Sequence, residues 1–431
     1  MAVKLKHLVA SVSAGSLAIA GAASAQTAGG ADANVDNFSR NRNTSVQQRP
    51  RPNYEAPGIR AGAFLLFPRL EVSAERNDNI YASSANEIDD TIFHLRPEVA
   101  IESNWSQNFL SAYARASINR YIDNDSENAD EYGVGAAGRI DVSRMSNIGF
   151  GADFASGFEP RTAPSAPRTA VEPTELDTAQ AYVSASRSAG YVKLSGRADW
   201  RSFDYSDGRT GLGAVIDQDG RDRDVRSISG RVDLAISPDT AFFVQATGND
   251  REYDIASTAL VPNRDSTGVE YLVGANFEVS ALVRGEVAVG YIEQSFDNAA
   301  FRDVDSYGAR AQLEWFPSEL TTVTVAAGRT IEDTPSTGVG GYLATTGSVG
   351  VDHELLRNVI LNARVTLGRD EYQGIDREDT RVGLNVGGTY LVNRNLGVNA
   401  SLSSLDTQSS GANRDQDFTV NKLAIALVAQ F

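Results

Sequence analysis

Phe418–Phe431 reads FTVNKLAIALVAQF, and its last nine residues carry the pattern that decides the fold. Successive side chains of an extended strand point to opposite faces. Leu423, Ile425, Leu427, Ala429 and Phe431 therefore share one face, and Lys422, Ala424, Ala426, Val428 and Gln430 share the other. A chain that ends on a two-fold apolar stripe closed by an aromatic residue needs apolar surroundings on one side. It also needs a strand beside each edge, so the rest of the sequence has to supply partners.

It does so repeatedly. In Val359–Arg369, Val359, Leu361, Ala363, Val365 and Leu367 alternate with Asn362, Arg364, Thr366 and Gly368. Val382, Leu384, Val386, Tyr390 and Val392 alternate with Arg381, Gly383, Asn385 and Thr389; Val192, Leu194, Ala198 and Trp200 alternate with Lys193, Ser195, Arg197 and Asp199. An amphipathic helix would instead set apolar residues three and four apart. Short turns fall near 105–108, 144–147, 188–190, 237–239, 281–282, 317–318, 356–358 and 393–395. Longer polar stretches such as 123–130, 159–176, 207–223 and 333–342 lie between them. Eight short turns and nine long loops join eighteen strands, with sixteen as the alternative if one weak hairpin is misread. Alternating strands, short turns on one side and long loops on the other describe an all-β, antiparallel transmembrane barrel of the outer membrane. The short turns then face the periplasm and the longer loops the exterior. Tyr81, Trp105, Tyr132, Trp200, Tyr291, Trp315 and Tyr390 fall near expected strand ends, the level that amphipathic rings favour.

The amino-terminus fits an exported chain. Residues 1–25 have the form of a signal peptide: Lys4, Lys6 and His7, then a small and apolar run, then Ala23-Ser24-Ala25 before the cleavage point. Residues 26–62 show no period and are expected to be a flexible periplasmic segment, with the barrel spanning 63–431. Within 26–62, Arg40, Arg42, Arg49, Arg51 and Arg60 outnumber Asp32, Asp36 and Glu55, so a plug or a partner contact is the sharper alternative. No cysteine is present, which removes disulfides and thiol chemistry. The formal charge is −17, and losing the two signal lysines leaves −19, the wrong sign for nucleic acid.

Asn77–Asp141 adds a resemblance. Asp78-Asn79-Ile80-Tyr81, Asp90-Thr91-Ile92, Pro97 with Ser103-Asn104-Trp105-Ser106, and Asp130-Glu131-Tyr132 leading to Gly138-Arg139 resemble the second family of putative β-barrel porins of Gram-negative outer membranes. The match is good over these first hairpins and general over the remainder. What it implies is an outer-membrane barrel; some family members look associated with exopolysaccharide production. It brings no catalytic residues.

Enzymatic and nucleotide chemistry finds little support. Gly133–Gly138 (GVGAAG) has the dinucleotide spacing but sits in an alternating run rather than between a strand and a helix. Asp123–Asn128 opens like a calcium loop, yet Asn128 and Val134 stand where Gly and Glu are needed. His94 and His353 fall toward opposite membrane faces. No catalytic residue, cofactor or metal is expected.

What remains is a row of inward charges. Arg96/Glu98, Arg139/Asp141, Arg197/Asp199, Arg231/Asp233 and Arg284/Glu286 each place a cation two residues before a carboxylate, on one face of a strand. Arg115, Lys193, Arg201, Arg310, Glu314, Arg364 and Arg381 join them on the face opposite the apolar one. These charges either pair across strands and stiffen the wall or line a watery path. The expectation is a porin-like channel for passive diffusion of small hydrophilic solutes, with export or assembly of a surface polysaccharide as the alternative. The barrel would contact outer-membrane lipid and lipopolysaccharide. Its terminal strand, ending in Phe431, resembles the signal read by the outer-membrane assembly machinery, and the leader could meet a periplasmic or polysaccharide-export partner. Trimers are common among porins, but the oligomeric state is open. Exchanging Arg197 and Arg231 for Glu is expected to shift ion selectivity toward cations.

Overall fold

The structure is a computed structural model and describes residues 43–255, 262–336 and 338–431. The expected signal peptide and the first part of the 26–62 segment lie outside those residues. In chain order the strands are β1 (Ile59–Ala61), β2 (Phe64–Asn77), β3 (Asp90–Ser103), β4 (Phe109–Tyr121), β5 (Ala129–Ser143), β6 (Ser146–Phe158) and β7 (Glu175–Ala189). Then follow β8 (Val192–Tyr205), the short β9 (Gly208–Arg209) and β10 (Val215–Ile216), β11 (Arg223–Ser237), β12 (Thr240–Tyr253), β13 (Ser266–Val279) and β14 (Val283–Phe296). The last are β15 (Val304–Ser318), β16 (Thr321–Asp333), β17 (Gly341–Leu356), β18 (Val359–Tyr372), β19 (Glu378–Leu391), β20 (Leu396–Ser410) and β21 (Phe418–Gln430). Leaving aside β1, β9 and β10, eighteen strands form the wall, each antiparallel to its neighbours, as the eighteen-strand expectation has it.

The final strand closes the ring. β21 pairs with β20 on one edge and with β2 on the other, from Arg69↔Gln430 to Asn77↔Lys422. Closure leaves no open sheet edge, which a lipid environment requires because nothing there can satisfy a free backbone amide. Beyond β21 the Phe431 amide still donates to the Pro68 carbonyl at 3.1 Å. Leu423, Ile425, Leu427 and Phe431 are exposed on the outside, whereas Ala426 and Val428 are buried inside. The same outward stripe runs through Leu361, Val365 and Leu367, through Val382, Leu384 and Val386, and through Leu194 and Trp200. Trp105, Tyr132, Tyr291, Trp315 and Tyr390 are likewise exposed. Tyr81 is a correction: it sits in the first outer loop beneath the Arg161 guanidinium, 5.7 Å from the ring centre, rather than in an outer aromatic girdle.

One stability test follows from the outward stripe. An arginine at Ile425 would face lipid near mid-strand and should cost about 2–4 kcal/mol. Ala424→Arg, one residue away on the inner face opposite Glu75, should cost far less. Urea unfolding in lipid vesicles, read by heat-modifiable migration, measures both; equal losses would contradict the assigned faces.

A second correction concerns the leader. From Asn43 onward the chain is docked rather than a free tail, because its polar groups find partners on the periplasmic end of the barrel. Ser45 and Val46 are buried, and the Val46 amide donates to Thr322 Oγ1 at 2.9 Å.

Candidate functional site

All fifteen residues singled out for the lumen lie on the inner-facing parity of their strands, since the exposed apolar residues of those strands occupy the alternate positions. Their partners were only partly foreseeable. Arg139 bonds Asp141 at 2.9 Å, Arg197 bonds Asp199 at 2.8 Å, and Arg231 bonds Asp233 at 2.7 Å, so three of the two-residue pairs close on themselves. Arg96 instead bonds Glu71 at 2.9 Å, while Glu98 lies 3.6 Å from Arg69 and opposite Arg115. Arg284 pairs with Glu314 and donates to the Asn43 carbonyl at 3.2 Å, which leaves Glu286 to Arg231 at 2.8 Å. Arg310 reaches Glu270 at 3.4 Å, Arg381 bonds Asp370 at 2.8 Å, Lys193 stands opposite Asp233, and Arg364 lies against Gly350.

The Arg231–Glu286 bond reports on shape. β11 and β14 are separated by β12 and β13, roughly 14 Å across a flat sheet, and the register sets Arg231 opposite Gly290, four residues along β14 from Glu286. Two side chains can bridge that arc at 2.8 Å only where the wall curls tightly inward. Phe243, Leu272 and Ala288 pack beneath the bridge, with the Arg231 guanidinium 3.5 Å from the Phe243 ring centre. Arg231 and Asp233 are therefore buried, which makes Arg231 unsuited to the selectivity exchange expected from sequence.

Both ends of the interior carry inserted structure. At the periplasmic end, residues 43–55 form a strap. Gln47 donates to Asp352 at 2.7 Å, Arg51 donates to Glu354 at 2.9 Å and to the Val46 carbonyl at 2.8 Å, and Gln430 donates to the Tyr54 carbonyl at 3.3 Å. With Asn43 on Ala281 and Arg284, the strap runs from β21 to the β13–β14 turn. At the outer end the loop 159–174 folds across the mouth. Arg161 bonds Glu127 at 2.6 Å, Glu159 receives Arg221 at 2.6 Å, and Arg168 reaches Asp415 at 3.4 Å although six wall strands lie between those two loops. Arg223 of β11 likewise crosses to Asp333 of β16 at 3.0 Å, where Arg251 joins it.

With this geometry in view, sequence comparison decides the family. The profile described as "Putative beta-barrel porin 2" matches residues 51–431. The chain belongs to that family. No protein of curated function matches the sequence. Among solved structures, the siderophore receptor PirA from Pseudomonas aeruginosa is 9% identical, with 85% of this chain and 80% of that one covered and a TM-score of 0.45. Pseudomonas aeruginosa OpdL is 11% identical over 86% of this chain and 99% of that one, also at 0.45. The alcaligin receptor FauA from Bordetella pertussis is 9% identical over 87% and 77%, at 0.42.

For this member of the porin 2 family, the motifs of other chemistries have structural roles. Gly133–Gly138 lies within β5. The calcium-like run is folded around Asp90, whose carboxylate accepts from the Asp123 amide at 3.2 Å and the Asn124 amide at 3.0 Å, while Glu127 serves Arg161. His94 of β3 meets Asn119 at 2.7 Å near the outer end, and His353 of β17 meets Thr321 at 3.0 Å near the periplasmic end. Asp207, Asp217 and Asp219 bring carboxylate oxygens within 4.8 Å of one another, and repulsion from Asp217 and Asp207 raises Asp219 above the ordinary carboxylate range. All three are solvent-exposed, and two of them accept from amides of their own loop, at Gln218 and Asp219, which accounts for the grouping without a ligand.

Sequence reasoning missed the inserted loops, although one signal was present. Phe418 and Val420 fall on the inner face with Lys422 and Gln430, and an apolar pair there has to be covered. Ala82 of the first outer loop and Leu405 cover it, and Arg168 lies 5.2 Å from the Phe418 ring centre.

Proposed function

We propose that this outer-membrane barrel is a porin-like channel for passive diffusion of small hydrophilic solutes. The observation that carries the reading is the inner wall itself, where polar and charged side chains alternate with lipid-facing apolar ones around eighteen strands. An interior of that width is not filled by its wall side chains alone and holds water. The reading has no catalytic role: its two described histidines are at opposite ends and are held by Asn119 and Thr321. Its outside contacts are lipid and lipopolysaccharide of a Gram-negative outer membrane, and Phe431 is offered to the assembly machinery.

Selectivity tests it. Arg115 and Arg201 are inner-face arginines in no ion pair with a described residue, so reversing them changes the field without breaking an ion pair. In a planar bilayer under a KCl gradient, Arg115→Glu with Arg201→Glu should move the reversal potential toward the potassium equilibrium value. An unchanged potential in a conducting barrel would remove these residues from the path.

A second reading, a gated barrel for surface-polysaccharide export with a periplasmic partner, is favoured by one observation. The strap and the folded loop narrow the interior from both ends, which passive diffusion does not require.

A further inference from the structure

The arc β4–β8 differs from the rest of the inner wall. On β5 and β6 the inner positions include Gly133, Gly135, Gly149 and Gly151, and large side chains from the flanking strands lie flat across them. A Cβ on Gly135 would stand 2.6 Å from the Tyr113 ring, and one on Gly151 would stand 2.5 Å from the Tyr182 ring. Arg115 lies over Gly133 in the same manner, with its Nε 3.3 Å from such an atom. The absence of side chains on two strands thus lets rings from β4 and β7 rest against the wall with a face toward the interior.

Between the rings stands a hydrogen-bonding row. Tyr113, Gly135, Asp153, Gln180 and Arg201 are successive register partners on five neighbouring strands. Gln180 donates to Asp153, which leaves the second carboxylate oxygen and the Gln180 carbonyl for a ligand. Arg115 and Arg201 offer guanidinium donors that no described carboxylate engages in an ion pair. Arg197 is committed to Asp199 and covers Tyr182 at 3.9 Å, so Tyr113, with Arg115 farther off at 5.5 Å, keeps the more open ring face.

A pyranose presents an apolar C–H face and a rim of hydroxyls that both donate and accept. A flat aromatic surface beside mixed donors and acceptors is its complement. Charge supports the same class: the inner face of this arc carries Arg115, Arg139, Lys193, Arg197 and Arg201 against Glu131, Asp141, Asp153 and Asp199, so the two signs are interspersed and the surface does not select a simple anion. We propose that the inner wall of β4–β8 is a saccharide subsite, with Tyr113 as the stacking platform and Asp153, Gln180, Arg115 and Arg201 as hydroxyl contacts. The proposal deepens the channel reading and rests on it. The competing account is that the rings only fill in for glycine and steady the strands.

Titration calorimetry of the full-length protein in detergent separates the two. The probes are maltohexaose and an oligogalacturonate of the same length. A saturable heat with maltohexaose is expected, weakened roughly tenfold in Tyr113→Ala, the scale of one lost stacking contact. Gly135→Ala, which lifts the ring, should weaken it as well, whereas Tyr113→Phe should keep it. Heat-modifiable migration first establishes that each variant is folded. Tighter binding of the oligogalacturonate would keep the subsite and make its sugar acidic. No saturable heat with either probe, or equal affinity in Tyr113→Ala, overturns the proposal. A chain that conducts in a bilayer but binds neither saccharide loses only the subsite. One that binds through Tyr113 but does not conduct keeps the subsite and loses the diffusion reading.

Discussion

Deleting residues 43–57 is expected to raise single-channel conductance several-fold in a planar bilayer. The strap lies across the β14–β17 arc at the periplasmic mouth and continues to β21, where it takes up room that solutes would use. Its hold is specific. Val46 is fully buried and bonded to Thr322, and Arg51 connects the strap's own Val46 carbonyl to the buried Glu354 carboxylate. Removing one partner of a buried ion pair costs about 3–5 kcal/mol because the other charge is left stranded. Glu354→Ala with Thr322→Val should therefore loosen the strap without shortening the chain and reproduce much of the gain. The two variants check each other, since the deletion also removes a stretch of sequence while the double substitution does not. Silence at full length and conduction in both variants would move the gated export reading ahead of passive diffusion. Unchanged conductance in both would make the strap a reinforcement of the rim.

The contrast between strap and wall shows what the sequence makes legible. A wall strand is a local pattern: Leu423, Ile425 and Leu427 announce their common face over five residues, and one slip in register would turn all of them inward. Strand number, turn positions and the face of each charge follow from such local alternation, which is why the eighteen strands and the inner parity of all fifteen chosen residues could be read directly. Partner choice across the interior is not local. Arg51 and Glu354 are 303 residues apart, and nothing near either one names the other. Arg284 was grouped with Glu286 by spacing, but the curl of β11–β14 brings Arg231 to Glu286 and leaves Arg284 to Glu314. The strap left no period to find because it binds through single backbone and side-chain groups in irregular order. Where an inner position was apolar without a local reason, at Phe418 and Val420, the sequence did hold a trace of the loop that covers it.

Truncating Arg231 is expected to destabilise the barrel strongly. Its guanidinium holds Asp233 at 2.7 Å and Glu286 at 2.8 Å and lies against Phe243, in a region that Leu272 and Ala288 keep apolar. Asp233 is fully buried, its Oδ2 has no hydrogen-bond partner among the described residues, and the Arg231 guanidinium, with Lys193 opposite on β8, offsets its charge. Arg231→Ala leaves two carboxylates facing each other in a dry setting and should cost about 3–5 kcal/mol. In urea unfolding from lipid vesicles, the folded heat-modifiable band should disappear at distinctly lower denaturant than in the parent chain. Arg231→Glu, which adds a third carboxylate, should fail to reach that band at neutral pH. Arg115→Ala on the opposite arc, which removes an arginine with no ion pair, should leave the transition close to the parent's. The decisive control is Arg231→Met combined with Asp233→Leu and Glu286→Met, because replacing a whole buried charge cluster by apolar residues is often neutral or stabilising. If this triple variant unfolds as early as Arg231→Ala, the loss comes from disturbed packing over Phe243 rather than from stranded charge. Recovery in the triple variant would assign the cost to Asp233 and Glu286, and with it the tight inward curl of β11–β14 to the salt bridge that spans it.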